Sequence, residues 1–192
     1  AIRKVHQAKG QSKMAASNDN PVVNFLKKAS DVTDRVALLL VTVYISIVTF
    51  LALIGITYRL MGNSISWSEE LSRWFLIGIA FVGASVVLKR GAHVGVVFFL
   101  KLLKNKALIQ YITVIANLLV LVTLVYFFWF GLLAALGSFR QMGGIIQIPM
   151  AYVKFNLPLG CFFMIVHMLY YTVGAATAKN GIDDYILSRS EE

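Results

Sequence analysis

The sequence predicts an all-α integral membrane protein with four transmembrane helices and one or two amphipathic helices at the membrane surface. Of its 192 residues, 58% are hydrophobic and only 14% are charged, whereas about 25% of residues are charged in typical soluble domains. A soluble fold of this length could not hide so much apolar surface from water. The chain also has four long stretches without Asp, Glu, Lys or Arg, at 36–58, 74–88, 107–139 and 155–178.

A helix needs about 20 residues to cross roughly 30 Å of hydrocarbon, and on this basis we predict spans at 36–58, 67–88, 107–136 and 150–176. The second apolar stretch is too short alone, so its helix must begin earlier. Ser66 followed by Glu69 three residues later is a capping box, which marks that beginning. Pro149 suits the first turn of the fourth helix, whereas Pro158 should kink it.

The segments outside the spans carry most of the basic residues. Residues 1–20 are polar, and we expect a disordered segment or a cloning remnant, with no apolar core that would make it a signal peptide. Val22–Val36 and Val94–Lys106 combine apolar and basic residues, and we expect them to lie flat on the cytoplasmic membrane surface. Short basic linkers are the alternative. Residues 179–192 would form a cytoplasmic tail.

Basic residues also predict the orientation. Fourteen of the 18 Lys and Arg residues lie before the first span, between the second and third, or after the fourth, and four lie on the other side. Because cytoplasmic loops carry the excess of Lys and Arg, both termini are predicted to be cytoplasmic. The net charge of +9 does not indicate nucleic-acid binding, since the basic residues flank apolar runs instead of covering a soluble face.

No catalytic, cofactor-binding or metal-binding motif is apparent in the sequence. It has no HExxH helix, phosphate-binding glycine loop or cysteine pair, and the single Cys161 cannot form an internal disulfide. A proton or ion pathway would need charged residues within the apolar stretches. All the charged residues lie outside these stretches. We therefore expect neither an enzyme nor a pump but a scaffold, with no cofactor or metal of its own.

One polar cluster lies at the start of the second helix, where Glu69 and Glu70 are four and three residues before Arg73. It could serve only as a helix cap with local ion pairs. Alternatively, because two acids face one base, a carboxylate would lack a local partner and could pair with a base of another membrane protein. Small residues four apart, Ala80 with Ala84 and Gly131 with Ala135, permit close helix packing.

The inner end of the second helix carries Lys89, Arg90 and His93, which could contact lipid phosphates or a neighbouring subunit, and Lys101 and Lys104 could bind headgroups similarly. Asn117 and His167 lie within spans. Such residues usually face the protein interior and bond another helix. Haem ligation by His93 and His167, in a membrane anchor or electron-transfer subunit, is an alternative. A channel lined by Gln110, Asn117 and His167 is another.

The second helix resembles that of the small membrane subunit (DctQ-like, or Q, subunit) of tripartite ATP-independent periplasmic (TRAP) transporters. That family typically has W-x-E-E-x-x-R, then a Gly/Ala patch, then R-x-x-H-[IV]. The matching residues here are Trp67-Ser68-Glu69-Glu70-Leu71-Ser72-Arg73-Trp74, Gly83-Ala84 and Leu88-Lys89-Arg90-Gly91-Ala92-His93-Val94. Ile148-Pro149 and Leu157-Pro158-Leu159-Gly160 resemble the entry to its fourth helix. The chain departs from the family at Gly95-Val96-Val97, where an acidic residue is common.

The resemblance implies a bacterial inner-membrane stator that supports a large elevator-type subunit, which binds the substrate and the coupling Na⁺. A periplasmic substrate-binding protein would deliver an organic acid such as sialic acid or a C4-dicarboxylate. The candidates for the subunit interface, or for docking of the binding protein, are then Trp67, Glu69, Glu70, Arg73, Trp74, Ala80 and Ala84.

The orientation can be tested with single added cysteines. A membrane-impermeant thiol reagent applied to intact cells is expected to label Ser64→Cys and Gly144→Cys but not Asn105→Cys or Glu192→Cys, because basic residues hold the latter two sites inside. Labelling of Asn105→Cys in intact cells would overturn this topology.

Overall fold

Long helices dominate the computed structural model, which describes residues 21–63, 65–91 and 106–177. They are α1 (Pro21–Leu60), α2 (Ser66–Gly91), α3 (Lys106–Leu136), the short α4 (Ala151–Lys154) and α5 (Asn156–Thr177). Four segments are long and apolar enough to cross a membrane: Pro21–Leu60, Ser66–Arg90, Tyr111–Leu136 and Ala151–Ala176. The predicted all-α membrane fold is confirmed. The segments at 1–20 and 179–192, and nearly all of the amphipathic segment Val94–Lys106, lie outside the described residues.

α1 is longer than the sequence suggested. It runs without interruption through Val22–Val36, for which we expected a separate helix on the membrane surface. Its 40 residues extend over about 60 Å. The N-terminal part packs on the rest of the bundle, where Ser30 contacts α5 and Asp31 contacts α2. The expectation of a separate helix at Val22–Val36 is therefore wrong, because this segment is the N-terminal part of α1.

The turn from α1 to α2 is a Schellman motif. Gly62 has a φ of 82°, a left-handed conformation that glycine adopts without steric cost. Its N–H donates to the Arg59 carbonyl at 3.1 Å, and the Asn63 N–H donates to the Tyr58 carbonyl at 3.1 Å. The motif ends α1 sharply, so that α2 can return antiparallel to it.

α5 is the central helix of the bundle. It packs against α1, α2 and α3, whereas α3 packs against α4 and α5. In the most apolar stretch of the span that contains α5, 44% of the residues are buried, against 11–17% in the other three. Phe163 joins Ala37 and Val82 in one apolar cluster, and Met168 and Tyr171 join Leu124 in another. Each remaining span therefore presents most of its surface to lipid or to another protein.

The fourth span is interrupted between α4 and α5. Pro158 has no N–H to donate to the carbonyl of Lys154, four residues earlier, and the break falls at Phe155. The Phe155 backbone remains helical, at φ −61° and ψ −22°. Pro158 thus lies in the first turn of α5, while Pro149 precedes α4 and pairs with Met142 in an isolated bridge.

The approach of α5 to α2 depends on a glycine. A Cβ added at Gly160 would lie 2.5 Å from the Phe81 carbonyl oxygen and 2.9 Å from the Phe81 Cβ. Both distances are shorter than real Cβ contacts, and the Phe81 carbonyl oxygen is a backbone atom that cannot rotate away. A Cβ added at Gly83, also on α2, would meet nothing within 4 Å.

This contrast gives a matched pair of variants. Gly160→Ala is expected to destabilise the purified subunit by about 1–3 kcal/mol, because α2 must move away from α5. Gly83→Ala adds the same methyl group in open space and should leave the thermal unfolding temperature in detergent unchanged or slightly raised. Equal unfolding temperatures for the two variants would contradict this packing.

Candidate functional site

The polar side chains gather at the two ends of α2. Glu69 and Glu70 lie near its start and Lys89 near its finish. Glu69 and Lys89 are 20 residues apart, which is about 30 Å along a helix and equals the thickness of the hydrocarbon layer. We call the two regions the Glu70 end and the Lys89 end.

Glu70 is held by backbone amides of the loop between α3 and α4. Its carboxylate accepts hydrogen bonds from the N–H groups of Gly144 at 2.7 Å, Ile145 at 2.9 Å and Ile146 at 2.7 Å. Bonds to an ionised acceptor are stronger than neutral ones. A distant segment of the same chain therefore supplies the partners of Glu70, and no base of another protein is needed to satisfy this carboxylate.

The same loop fits closely over α2. A Cβ at Gly143 would collide with the Ile146 carbonyl and would lie 2.8 Å from the Trp74 ring. Trp74 is one helical turn after Glu70, so the two side chains share a face of α2. On the other side, Lys154 Nζ donates to Ser138 Oγ at 2.6 Å and to Gln141 Oε1 at 2.8 Å. The loop is thus fixed at both of its edges.

Glu69 has a different set of partners. It pairs with Arg59 at the end of α1 and lies 3.8 Å from Arg73, the predicted partner four residues on. The Arg59, Glu69 and Arg73 side chains are 72%, 47% and 76% exposed, so these pairs contribute little stability. α2 begins at Ser66, as the capping box predicted, but the Glu69 carboxylate is turned towards the two guanidinium groups.

The two pairs of small residues face different surroundings. Gly131 and Ala135 are buried between α3 and α5, and a Cβ at Gly131 would lie 2.9 Å from Leu157. Ala80 and Ala84 are exposed on α2. The first pair therefore packs within the chain, and the second remains available to another protein. Trp67, at the start of α2, is 44% exposed.

The Lys89 end is a partly buried ion-pair network. Lys89 Nζ lies 2.7 Å from Asp31 Oδ1 and 3.8 Å from Asp34 Oδ2, and its side chain is only 13% exposed. Lys89 is therefore paired within the chain, and its contact with lipid headgroups stays a prediction. Arg90 is 3.9 Å from Asp34 but 54% exposed, which leaves it free to reach headgroups. Sequence reasoning missed both aspartates, although their i, i+3 spacing places them on one face of α1.

His167 lies beside this network. It is fully buried, and its Nδ1 shares a 2.7 Å hydrogen bond with Ser30 Oγ of α1. Tyr171, one turn further along α5, donates its hydroxyl to the Lys89 carbonyl at 2.7 Å. The expectation that His167 bonds another helix is confirmed. Asn117 is also buried, at 1% exposure, whereas His93, Lys101 and Lys104 lie outside the described residues.

The fold and the two polar ends agree with a known family. Residues 48–178 match the family described as tripartite ATP-independent periplasmic transporters, DctQ component, and the chain belongs to that family. It is thus a multi-pass protein of the inner membrane and a small permease subunit. It is similar to the "Sialic acid TRAP transporter small permease protein SiaQ" of Vibrio cholerae serotype O1 (strain ATCC 39315 / El Tor Inaba N16961). The identity is 25% over 146 residues, which cover 69% of this chain and 80% of that protein.

The role of Glu70 can be separated from that of Glu69. In Glu70→Ala the amides of Gly144–Ile146 lose their common acceptor, and their hydrogen–deuterium exchange is expected to accelerate about ten-fold. Glu69→Ala is the control, because Glu69 contacts the arginines and should leave exchange in this loop unchanged. Unaltered exchange in Glu70→Ala would refute the anchoring role.

Proposed function

We propose that this chain is the non-catalytic scaffold, or stator, of a Na⁺-coupled TRAP transporter that imports an organic acid. In this proposal a large elevator-type subunit carries the substrate and the Na⁺. A periplasmic protein delivers the substrate, and the small subunit widens the fixed part of the assembly. Family membership supports the class of transporter. The name of the Vibrio cholerae relative favours sialic acid, and a C4-dicarboxylate is the alternative substrate.

The distribution of charge is the observation that carries this proposal. The stretches 36–58, 74–88, 107–139 and 155–178 contain no Asp, Glu, Lys or Arg. His167 lies within the last of them, but it is fully buried and bonded to Ser30. A subunit that moved an acid or a cation would need polar groups along its path. The transport pathway therefore belongs in a partner.

The exposed face of α2 is the best candidate for contact with that partner. Ala80 and Ala84 are exposed, and Gly83 between them has open space where a Cβ would be. Small residues allow two membrane helices to approach closely, and van der Waals packing is a main source of their association in lipid. Leu76 and Val87, which are 51% and 67% exposed, extend the same surface.

The Glu70 end is the proposed docking region for the periplasmic protein. The count of basic residues assigns this end to the periplasm. In this proposal Glu70 and Trp74 position the loop at Gly143–Ile146, while Arg73 and Trp67 are exposed for contact. The haem hypothesis gains no support from His167, whose Nδ1 bonds Ser30 and whose Nε2 is buried in the bundle, and His93 lies outside the described residues.

A bulky residue in the small face of α2 tests the scaffold role. Ala84→Leu is expected to lower the yield of the complex with the large subunit, and substrate uptake into proteoliposomes should fall with it, because the helices cannot approach. Ala134→Leu is the matched control, since Ala134 is an exposed alanine of α3. Both subunits are quantified in the membrane before purification.

The outcomes of this experiment are distinct. A normal yield of complex with Ala84→Leu would assign this face of α2 to lipid. Uptake by the large subunit and the binding protein without this chain would refute the scaffold proposal itself.

A further inference from the structure

The side of α1 that points away from the bundle, its outward face, carries two basic side chains near the Lys89 end. Ser30 and Ala37 are fully buried and mark the side of α1 that meets the other helices. Lys28 and Arg35 lie on the opposite side, two helical turns apart, and both are exposed. Within the described residues, neither takes part in an ion pair. Their charges are therefore available to a molecule outside the chain.

The formal charges around these two bases do not cancel. Asp31 and Asp34 are the acidic residues of α1, and the described parts of the other helices add no acid at this end. Even without Lys27, the two aspartates are outnumbered by four bases: Lys28, Arg35, Lys89 and Arg90. The ion pairs of the aspartates are with Lys89 and Arg90. Lys28 and Arg35 therefore leave a formal surplus of two positive charges.

Arg35 lies where α1 crosses the membrane surface. The charge-free stretch 36–58 begins directly after it and extends over about 34 Å, which is enough to cross roughly 30 Å of hydrocarbon. Lys28 is about 10 Å further along the helix axis, on the water side. The two bases therefore lie at the depth of the phosphates and headgroups of the lipids around α1.

Apolar side chains continue the outward face into the hydrocarbon. Leu39 and Val43, four and eight residues after Arg35, are 64% and 43% exposed. A cationic part followed by an apolar part, on one face of a membrane helix, matches the phosphate and the acyl chain of an anionic phospholipid. A small soluble acid would bury no apolar surface here. A zwitterionic lipid would bring its own cation close to the two bases and would gain less from them.

We propose that the outward face of α1 binds an anionic phospholipid, with its phosphate between Lys28 and Arg35 and an acyl chain along Leu39 and Val43. The Ser30–His167 bond and the Asp31–Lys89 pair hold this part of α1 against the bundle. The two bases therefore keep their heights relative to the membrane. The site depends on neither the proposed partner subunit nor the proposed substrate, because it is formed by α1 alone.

The test uses the full-length purified chain, delipidated in detergent and titrated with phosphatidylglycerol or phosphatidylcholine under native mass spectrometry. Phosphatidylglycerol is expected to bind more tightly than phosphatidylcholine. Arg35→Gln should weaken phosphatidylglycerol binding about five-fold, and the double variant Lys28→Gln, Arg35→Gln should bind the two lipids equally. Arg140→Gln is the matched control, because Arg140 is an exposed arginine in the loop between α3 and α4, and it should change nothing.

A second pair of variants reverses the local charge without removing a base. Val32 lies between the two bases and is 60% exposed. Val32→Glu is therefore expected to fold normally, with the new carboxylate four residues from Lys28 and three from Arg35. It should repel the phosphate and weaken phosphatidylglycerol binding about five-fold or more, whereas Val32→Gln should bind as the unaltered chain does.

Several results would overturn the proposal. Equal binding of the two lipids by the unaltered chain would remove the preference for an anionic headgroup. Unchanged binding in Val32→Glu would place the lipid elsewhere. An equal loss in Arg140→Gln would indicate only general surface charge, and full competition by inorganic phosphate would show that the acyl chain contributes nothing.

Discussion

The close contact between α5 and α2 is the constraint on which the bundle depends. Apolar side chains gain little from meeting each other in lipid, so membrane helices associate through close packing and hydrogen bonds. Gly160 provides that packing by allowing the backbone of Phe81 to approach. Because α5 touches α1 and α3 as well, its position fixes the other two. The interruption at Phe155 separates α5 from α4, so that α5 begins as a new helix at Asn156.

The two ends of the bundle are closed to different degrees. At the Lys89 end, a lysine with 13% exposure is bonded to Asp31, and the His167–Ser30 bond next to it is fully buried. Opening this network would leave Lys89 and Asp34, both only 13% exposed, without their partners, which opposes separation. At the Glu70 end, Arg59 and Arg73 are mostly exposed and their ion pairs are weak. Contacts with other proteins are therefore expected at the Glu70 end, while the Lys89 end acts as an internal clamp.

Local patterns were sufficient for the spans but not for the polar contacts. Apolar length predicted the four spans, and Ser66 with Glu69 predicted the start of α2. The same reasoning found the Glu69–Arg73 pair, because its members are one turn apart. It missed the partners of Glu70, which lie 74–76 residues away, and that of His167, 137 residues away. Helical periodicity gives no information on such distances. It also favoured a surface helix at Val22–Val36, where tertiary contacts of Ser30 and Asp31 continue α1 instead.

The partners of Glu70 change the chemistry expected of this end. From sequence, an unpaired carboxylate would seek a cation on another subunit. In the structure, backbone amides satisfy Glu70, and the groups with unused hydrogen-bonding capacity are the two guanidinium groups around Glu69. An arginine presents a planar fork of donors that suits carboxylates and phosphates. An acidic side chain of a docking protein would therefore suit these exposed donors. Glu70 contributes indirectly, by holding the Gly143–Ile146 loop beside those arginines.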